Sequence, residues 1–262
     1  MTICIAAIAR EEEGEYIVFA TDHMVATPLG NFEHSMQKYK MINDMTVAML
    51  AGNPFFFDEL VKVEKPNASY DDQKEAIYEN FRKKRKDIIQ KELLDPLGVK
   101  YDDIIPQTVK SMQINEIMLR FLDTITRFKL NTSILLVGFD KNKEAQITEI
   151  TENNISDFRM FNFHAIGSGN MQAANTLLFQ KHDRKERLIP TIYNVYKAKR
   201  NAEVLEGVGK ETDLFVLSHK KSCQNLNKYL TLLKEIYDSE LSEGKLNPKL
   251  SGIKIGEGDQ CT

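Results

Sequence analysis

The chain has 262 residues, 42% of them hydrophobic and 28% charged, a globular composition with enough length for a substantial core and not that of a disordered chain. With 35 basic and 38 acidic side chains the net charge is −3, which offers no general attraction for nucleic acid or an anionic membrane. The sequence has no apolar run long enough to cross a bilayer, its opening residues lack the pattern of an export signal, and Cys4, Cys223 and Cys261 have neither the number nor the spacing of a disulfide framework or zinc site, so the expected setting is the reducing cytoplasm.

Ile3–Ala9 is apolar throughout and Glu15–Thr21 is apolar and β-rich, with a polar Glu-Glu-Glu-Gly turn between them; together they predict a hairpin. Asp22 ends its second strand, and Thr27-Pro28-Leu29-Gly30-Asn31 reads as a loop. Ser35–Ile42 and Met45–Ala51, around an Asn43-Asp44 turn, add a second pair, giving four antiparallel strands before the first helix. From Pro54 the period changes, and Phe55–Val63 and Tyr70–Leu94 read as helices, the latter with Asp71 and Asp72 suited to its positive end. Arg82-Lys83-Lys84-Arg85-Lys86 reads as a solvated helix face, because its surroundings are mixed in sign and no aromatics interleave; the competing reading is a patch for an acidic partner.

Pro96 and Pro106 bracket a connector before a helix over Val109–Phe128. Strands are predicted at Ser133–Phe139, Ala145–Thr151 and Met160–Ile166, helices at Met171–Gln180 and Leu188–Leu205, a strand at Asp213–Ser218 and a helix at Tyr229–Leu241. The order predicts an α+β fold of two antiparallel sheets packed face to face with helices over both outer faces. One domain over residues 1–241 is expected, with a flexible tail over 242–262.

A Met-Thr opening placed directly on a strand has a chemical use. Removal of Met1 ahead of a small second residue would leave Thr2 with a hydroxyl nucleophile and, on the same residue, an amine able to take its proton. Such an amine must be held still, which a strand does and a frayed terminus does not. Asp22 ends the strand expected to pair with the terminal one. Lys38 follows on the next strand, where an ammonium near the terminus would ease proton loss from amine and hydroxyl. Gly167-Ser168-Gly169 falls between a strand and a helix, a tight turn that also offers N–H groups to an anion. Each also has a plain reading: an edge strand, a turn aspartate, a surface cation and a turn before a helix cap.

The series Thr2, Ala20-Thr21-Asp22, Lys38-Tyr39-Lys40-Met41-Ile42, Val47-Ala48-Met49-Leu50-Ala51-Gly52, Leu135-Leu136-Val137-Gly138-Phe139-Asp140, Ala165-Ile166-Gly167-Ser168-Gly169 and Gly207–Leu214 resembles the proteasome β-subunit branch of the N-terminal-nucleophile (Ntn) hydrolases. The resemblance spans roughly residues 2–218 and rests on joint order and spacing, with a longer helical insertion at about 82–127 than ordinary members carry. It implies a four-layer αββα sandwich and a threonine-type peptidase or amidohydrolase. It makes Thr2 the nucleophile and base, Asp22 its acidic partner, Lys38 the neighbouring lysine and Ser168 the serine assisting the terminal amine. Thr27 matches the residue whose backbone binds substrate as an added strand. Met49 stands where the family places a backbone oxyanion donor, and would narrow the specificity pocket. Gln37 and Lys40 flank Lys38, so a one-residue slip would move its role and the sheet face. The family's later aspartate and serine have no clear counterpart, and Glu206, nearby, is left unassigned.

The resemblance further implies a peptide or protein substrate, a homo-oligomer, and an ATPase unfoldase as a separate protein, since the chain has no Walker-type loop. No metal or cofactor is expected: His23, His34, His164, His182 and His219 are scattered, and His23 stands beside the expected cleft. Cys4 reads as core, and Phe55-Phe56-Phe57 as core or subunit interface. The rival readings are an inactive scaffold subunit, and an amidase or transpeptidase acting on a non-protein or specific peptide substrate.

Overall fold

The computed structural model describes residues 2–27, 30–65, 67–102, 116–183, 185–220 and 223–243. Strands β1 (Ile3–Glu11) and β2 (Gly14–Asp22) form the opening hairpin, paired from Cys4 with Thr21 to Glu11 with Gly14. β1 is apolar without alternation because both its faces are covered. Ile3, Ile5, Ala7 and Ala9 join a core shared with helices, and Cys4, Ala6 and Ile8 join a core shared with the second sheet.

Where a loop was expected, β3 (Met24–Thr27) and β4 (Gly30–Glu33) form a small hairpin; its Pro28 and Leu29 lie outside the described residues. β5 (Tyr39–Asn43) and β6 (Thr46–Ala51) follow, the first starting four residues later than the apolar pattern suggested. The predicted 55–63 helix is a 3-10 turn at Pro54–Phe56, capped by Asn53, running into the short α1 (Phe57–Leu60). α2 (Tyr70–Ile89) opens on a capping box between Ser69 and Asp72 and gives way to a π-helical turn over Gln90–Leu94. α3 (Glu116–Arg127) occupies the end of the predicted 109–128 helix, whose first residues, like Pro106, lie outside the described residues.

The chain continues through β7 (Ser133–Phe139), β8 (Ala145–Ile150), β9 (Ile155–Asp157) and β10 (Phe163–Gly167). Met160 lies in a 3-10 turn and not in the strand, because Asn162 adopts a left-handed conformation (φ 65°) that ends the turn before β10 begins. α4 (Asn170–Phe179), α5 (Leu188–Ala202), β11 (Thr212–Ser218), β12 (Gln224–Asn225) and α6 (Leu230–Glu243) complete the described chain. Of the tail expected from 242, residues 244–262 lie outside the described residues.

One sheet has the order β10-β1-β2-β11-β12 and the other β5-β6-β7-β8-β9, with every pairing in them antiparallel. Three cores set the layering. The first lies between β1, β2, β11 and helices α4–α6, the second between the sheets, and the third between β6–β7 and helices α1–α2. The result is an α+β sandwich, helix layer on sheet on sheet on helix layer. Ile89, Leu94 and Ile125 make a small separate core within the 82–127 segment. The basic cluster at its start is largely spent on tethering: Lys84 pairs with Glu59, Lys86 with Asp102, and Arg85 donates to the carbonyls of Ile125 and Phe128 at the end of α3.

Among the described residues no helix is long and apolar enough to cross a membrane. Cys4 is a free, buried thiol. Cys223 is buried as well.

Candidate active site

Thr2 stands immediately before β1 and is only 3% exposed. Its carbonyl accepts from the Ser168 hydroxyl at 3.3 Å and from Gly169 N at 3.4 Å, and its own nitrogen donates to Ser168 Oγ at 3.2 Å. That nitrogen carries Met1 in the intact chain. This close approach requires glycine at 167: its φ is +99°, and a Cβ there would lie 2.3 Å from the Thr2 carbonyl oxygen.

Asp22 ends β2 and is fully buried. One carboxylate oxygen, Oδ1, accepts from the Thr2 hydroxyl, from Ile3 N at 3.2 Å and from Lys38 Nζ at 2.6 Å. The other, Oδ2, accepts from Gly209 N at 2.7 Å. Lys38 lies one residue before β5, 4% exposed, and its Nζ also donates to the Thr2 hydroxyl. The flanking alternatives do not reach this cluster: Lys40 pairs with Asp58 on the surface, and Gln37 is exposed. Strand register therefore selects Lys38. Burying this ion pair costs several kcal/mol per ion before compensation, and apolar residues of the same volume would stabilise the fold at least as well. The cluster is therefore poorly explained by stability alone.

Thr2 lines two cavities of unequal size. One, about 460 Å³, is polar and takes in Gly52, Lys129, Glu149, Glu152 and Ser168. The other, about 10 Å³, is a narrow, mostly apolar cleft walled by Met24, Val25, Met36, Leu50 and Pro54, with Lys38 and Gly52. β3 supplies Met24 and Val25, so the small hairpin forms one lip of the cleft. Thr27 ends β3 opposite Gly30.

Met49 requires a correction. It is fully buried in the core between the sheets, opposite Tyr39 and Leu135, and lines neither cavity. Strand alternation explains this: Val47, Met49 and Ala51 face the other sheet, whereas Ala48 and Leu50 face α1 and α2. The backbone that borders Thr2 is that of Gly52, just past the end of β6. Its φ is +119°, and a Cβ there would meet Asn131 O at 2.4 Å. The sequence signal for it was a glycine closing an apolar strand.

Two further residues were given no role by the sequence reading, although Gly209 lies in the Gly207–Leu214 stretch that carries the resemblance. Gly209 supplies the N–H that holds Asp22, and Lys199 on α5 is a fully buried lysine behind it. His23 pairs through Nε2 with Asp213 at 2.7 Å. Cys4 has its thiol pushed well up by burial and directed at Leu50 O at 3.3 Å, which suits a core residue and not a nucleophile. Among the described residues no group of three or more His, Cys, Asp or Glu side chains could hold a metal ion. No protein-family model matches the chain, and no curated protein matches it either.

Proposed function

We propose that the chain is a threonine-type amidohydrolase of the Ntn type, with a peptidase as its simplest form. The observation that carries this reading is the Thr2 hydroxyl, hydrogen-bonded to both Lys38 Nζ and Asp22 Oδ1 at a point where two cavities meet. Once Met1 is removed, the Thr2 amine takes the hydroxyl proton as Oγ1 bonds to the scissile carbonyl carbon. The oxygen of that carbonyl becomes negative, and the Gly52 N–H is the backbone donor best placed by position to receive it. The C–N bond then breaks as the amine returns the proton to the leaving group, and water splits the resulting ester to free Thr2. Lys38 and Asp22 orient the hydroxyl and balance charge around it, and Ser168, in contact with Thr2 N, passes the proton.

Two observations keep rival readings in play. The 10 Å³ cleft leaves almost no room for a side chain and favours an inactive scaffold. The larger, charged cavity favours a polar amide or an incoming amine, hence an amidase or transpeptidase. A peptide panel set against small amides separates the last two. Assembly into a homo-oligomer belongs to the same proposal, supported by Met171, Leu178 and Phe179 exposed on α4, while a separate ATPase rests on the resemblance alone. A cytoplasmic setting belongs to the same reading, and alkylation of all three cysteines in protein taken from cells and unfolded is the result it expects.

The test is intact mass before and after a β-lactone that acylates N-terminal threonines. Loss of Met1 and one adduct mapped to Thr2, absent in Thr2→Ala, is the expected result. Retained Met1, or a free Thr2 that never reacts, sinks the enzyme reading.

A further inference from the structure

The last part of the loop between α5 and β11, residues 207–211, carries the Gly209 N–H that fixes Asp22, and it is gripped by opposite charges. On one side the Lys199 ammonium, fully buried, donates to the carbonyls of Gly209 at 2.9 Å and Lys210 at 2.8 Å, and to Glu203 at 2.5 Å. On the other, the exposed Glu33 carboxylate at the end of β4 accepts from the N–H groups of Lys210 and Glu211. Carbonyls held by a cation and N–H groups held by an anion leave little freedom to the Gly209–Glu211 segment. The loop is also crowded: a Cβ at Gly209 would come within 2.8 Å of Glu33 Oε1 and 3.2 Å of Asp22 Oδ2.

We propose that Lys199 and Glu33 act as a clamp on the Gly209 loop that holds Asp22 in the orientation Thr2 needs, so that both are positioning residues for the reaction. The inference rests on the reading of Thr2 as nucleophile. Its logic is geometric. Asp22 has one oxygen on Gly209 N and the other shared by Thr2, Ile3 and Lys38. If Gly209 N withdraws, the carboxylate turns about its own axis, and Thr2 and Lys38 lose a common acceptor. A lysine serving only to cap α5 would have its needs met by the helix end and Glu203. This one reaches past the helix to the loop behind the site. Burial presses its ammonium toward deprotonation and Arg200 adds to that, while Glu203 and Asp22 oppose it. Glu33 adds a second connection, since it sits on the hairpin whose first strand forms the lip of the narrow cleft. Displacement of that hairpin would pull on the same loop.

The experiment measures β-lactone acylation of Met1-free protein by intact mass, separating the maximal rate kinact from the half-saturating concentration KI. Lys199→Met should lower kinact by about tenfold to a hundredfold, the effect of a small misplacement near reacting groups, with KI within about twofold. Lys199→Arg should recover part of the loss, because a guanidinium can still donate to both carbonyls. Glu33→Gln, at an exposed position, should fold normally and lower kinact by roughly threefold, consistent with weakening charge-assisted bonds to two N–H groups. If Lys199→Met fails to fold, the other two variants carry the test. Wild-type kinact in Glu33→Gln together with Lys199→Met, or in Glu33→Gln alone where Lys199→Met does not fold, overturns the clamp and leaves Thr2 as nucleophile. A loss that appears in KI, or one that Arg does not relieve, also overturns it in favour of a packing role. A wild-type protein that takes no label overturns the Thr2 reading itself, and the clamp with it.

Discussion

Lys38 and Lys199 are both buried, 4% and 0% exposed, and each meets a carboxylate oxygen at 2.6 or 2.5 Å. What separates them is the remaining partner. Lys199 spends its other bonds on two carbonyl oxygens, which neither give nor take a proton, and it lines neither of the cavities beside Thr2. Lys38 shares its carboxylate with a hydroxyl and lines the cleft that Thr2 also lines. A buried ion pair is thus weak evidence of chemistry. The informative features are a third group that can react and a path by which substrate reaches it.

The sharpest way to break this comparison is to remove each lysine in turn. Lys38→Met should cut acylation of Thr2 by about 10²–10³ per folded molecule, the range for losing one fixed donor that stabilises charge at the reacting group. It should also destabilise the fold by roughly 3–5 kcal/mol, because Asp22 is left buried without its cation. Lys199→Met should instead leave residual acylation well above that of Lys38→Met. Equal residual rates in the two variants would erase the distinction. Gly167→Ala comes next. The added methyl meets the Thr2 carbonyl and is strained at φ +99°, so about 1–3 kcal/mol of stability should be lost. The melting temperature would fall, and labelling would fall with it, since Thr2 is displaced. Unchanged melting and labelling would mean that the turn relaxes without moving the terminus.

The layers of the fold were legible because period and burial agree: β1 is apolar on both faces, and β7 and α5 run close to the spans their patterns suggested. What escaped has local causes. The β3–β4 hairpin is short and polar enough to pass for a loop, and a left-handed Asn162 delays β10. Thr2, Asp22, Lys38 and Ser168 could be named as one group because strand ends bring them together, and the structure places all four in one hydrogen-bonded cluster. Met49 could not be placed from sequence, because its role depended on which face of β6 meets the other sheet. The roles of Gly209 and Lys199 went unread for another reason. Their part is played by a backbone N–H and by carbonyls, and backbone partners leave no mark on residue type.

Lys38 also differs from Lys199 in having a cleft beside it, and that cleft is narrow, about 10 Å³. Met36 is a wall residue that can be trimmed without opening a core, being only half-buried. Met36→Ala should shift a peptide panel toward larger apolar side chains by about tenfold, the worth of one or two methylenes in an apolar pocket. A preference that stays fixed would assign recognition to the larger polar cavity instead.

His182 supplies the smallest effect and a control for burial without a counter-ion in contact. It is 7% exposed, its Nε2 meets Ile8 O at 3.0 Å, and its Nδ1 has no hydrogen-bond partner among the described residues. Burial lowers its pKa from the ordinary 6.5, with Ile8 O and Asp183 only partly opposing. Above 6.5 the imidazole is neutral folded or unfolded, and its contribution to stability is complete. As pH falls below 6.5 the unfolded chain takes up a proton that the folded chain resists, so stability declines until the lowered folded pKa is reached. The slope is at most about 1.4 kcal/mol per pH unit for one proton. His182→Gln keeps a donor for Ile8 O and cannot titrate, so the difference in urea midpoint between wild type and variant should shrink or reverse in favour of the variant between pH 7.5 and pH 5. A constant difference over that range would mean that the folded protein accommodates the charged ring as readily as water does, and burial alone would then say as little about a histidine as it does about Lys199.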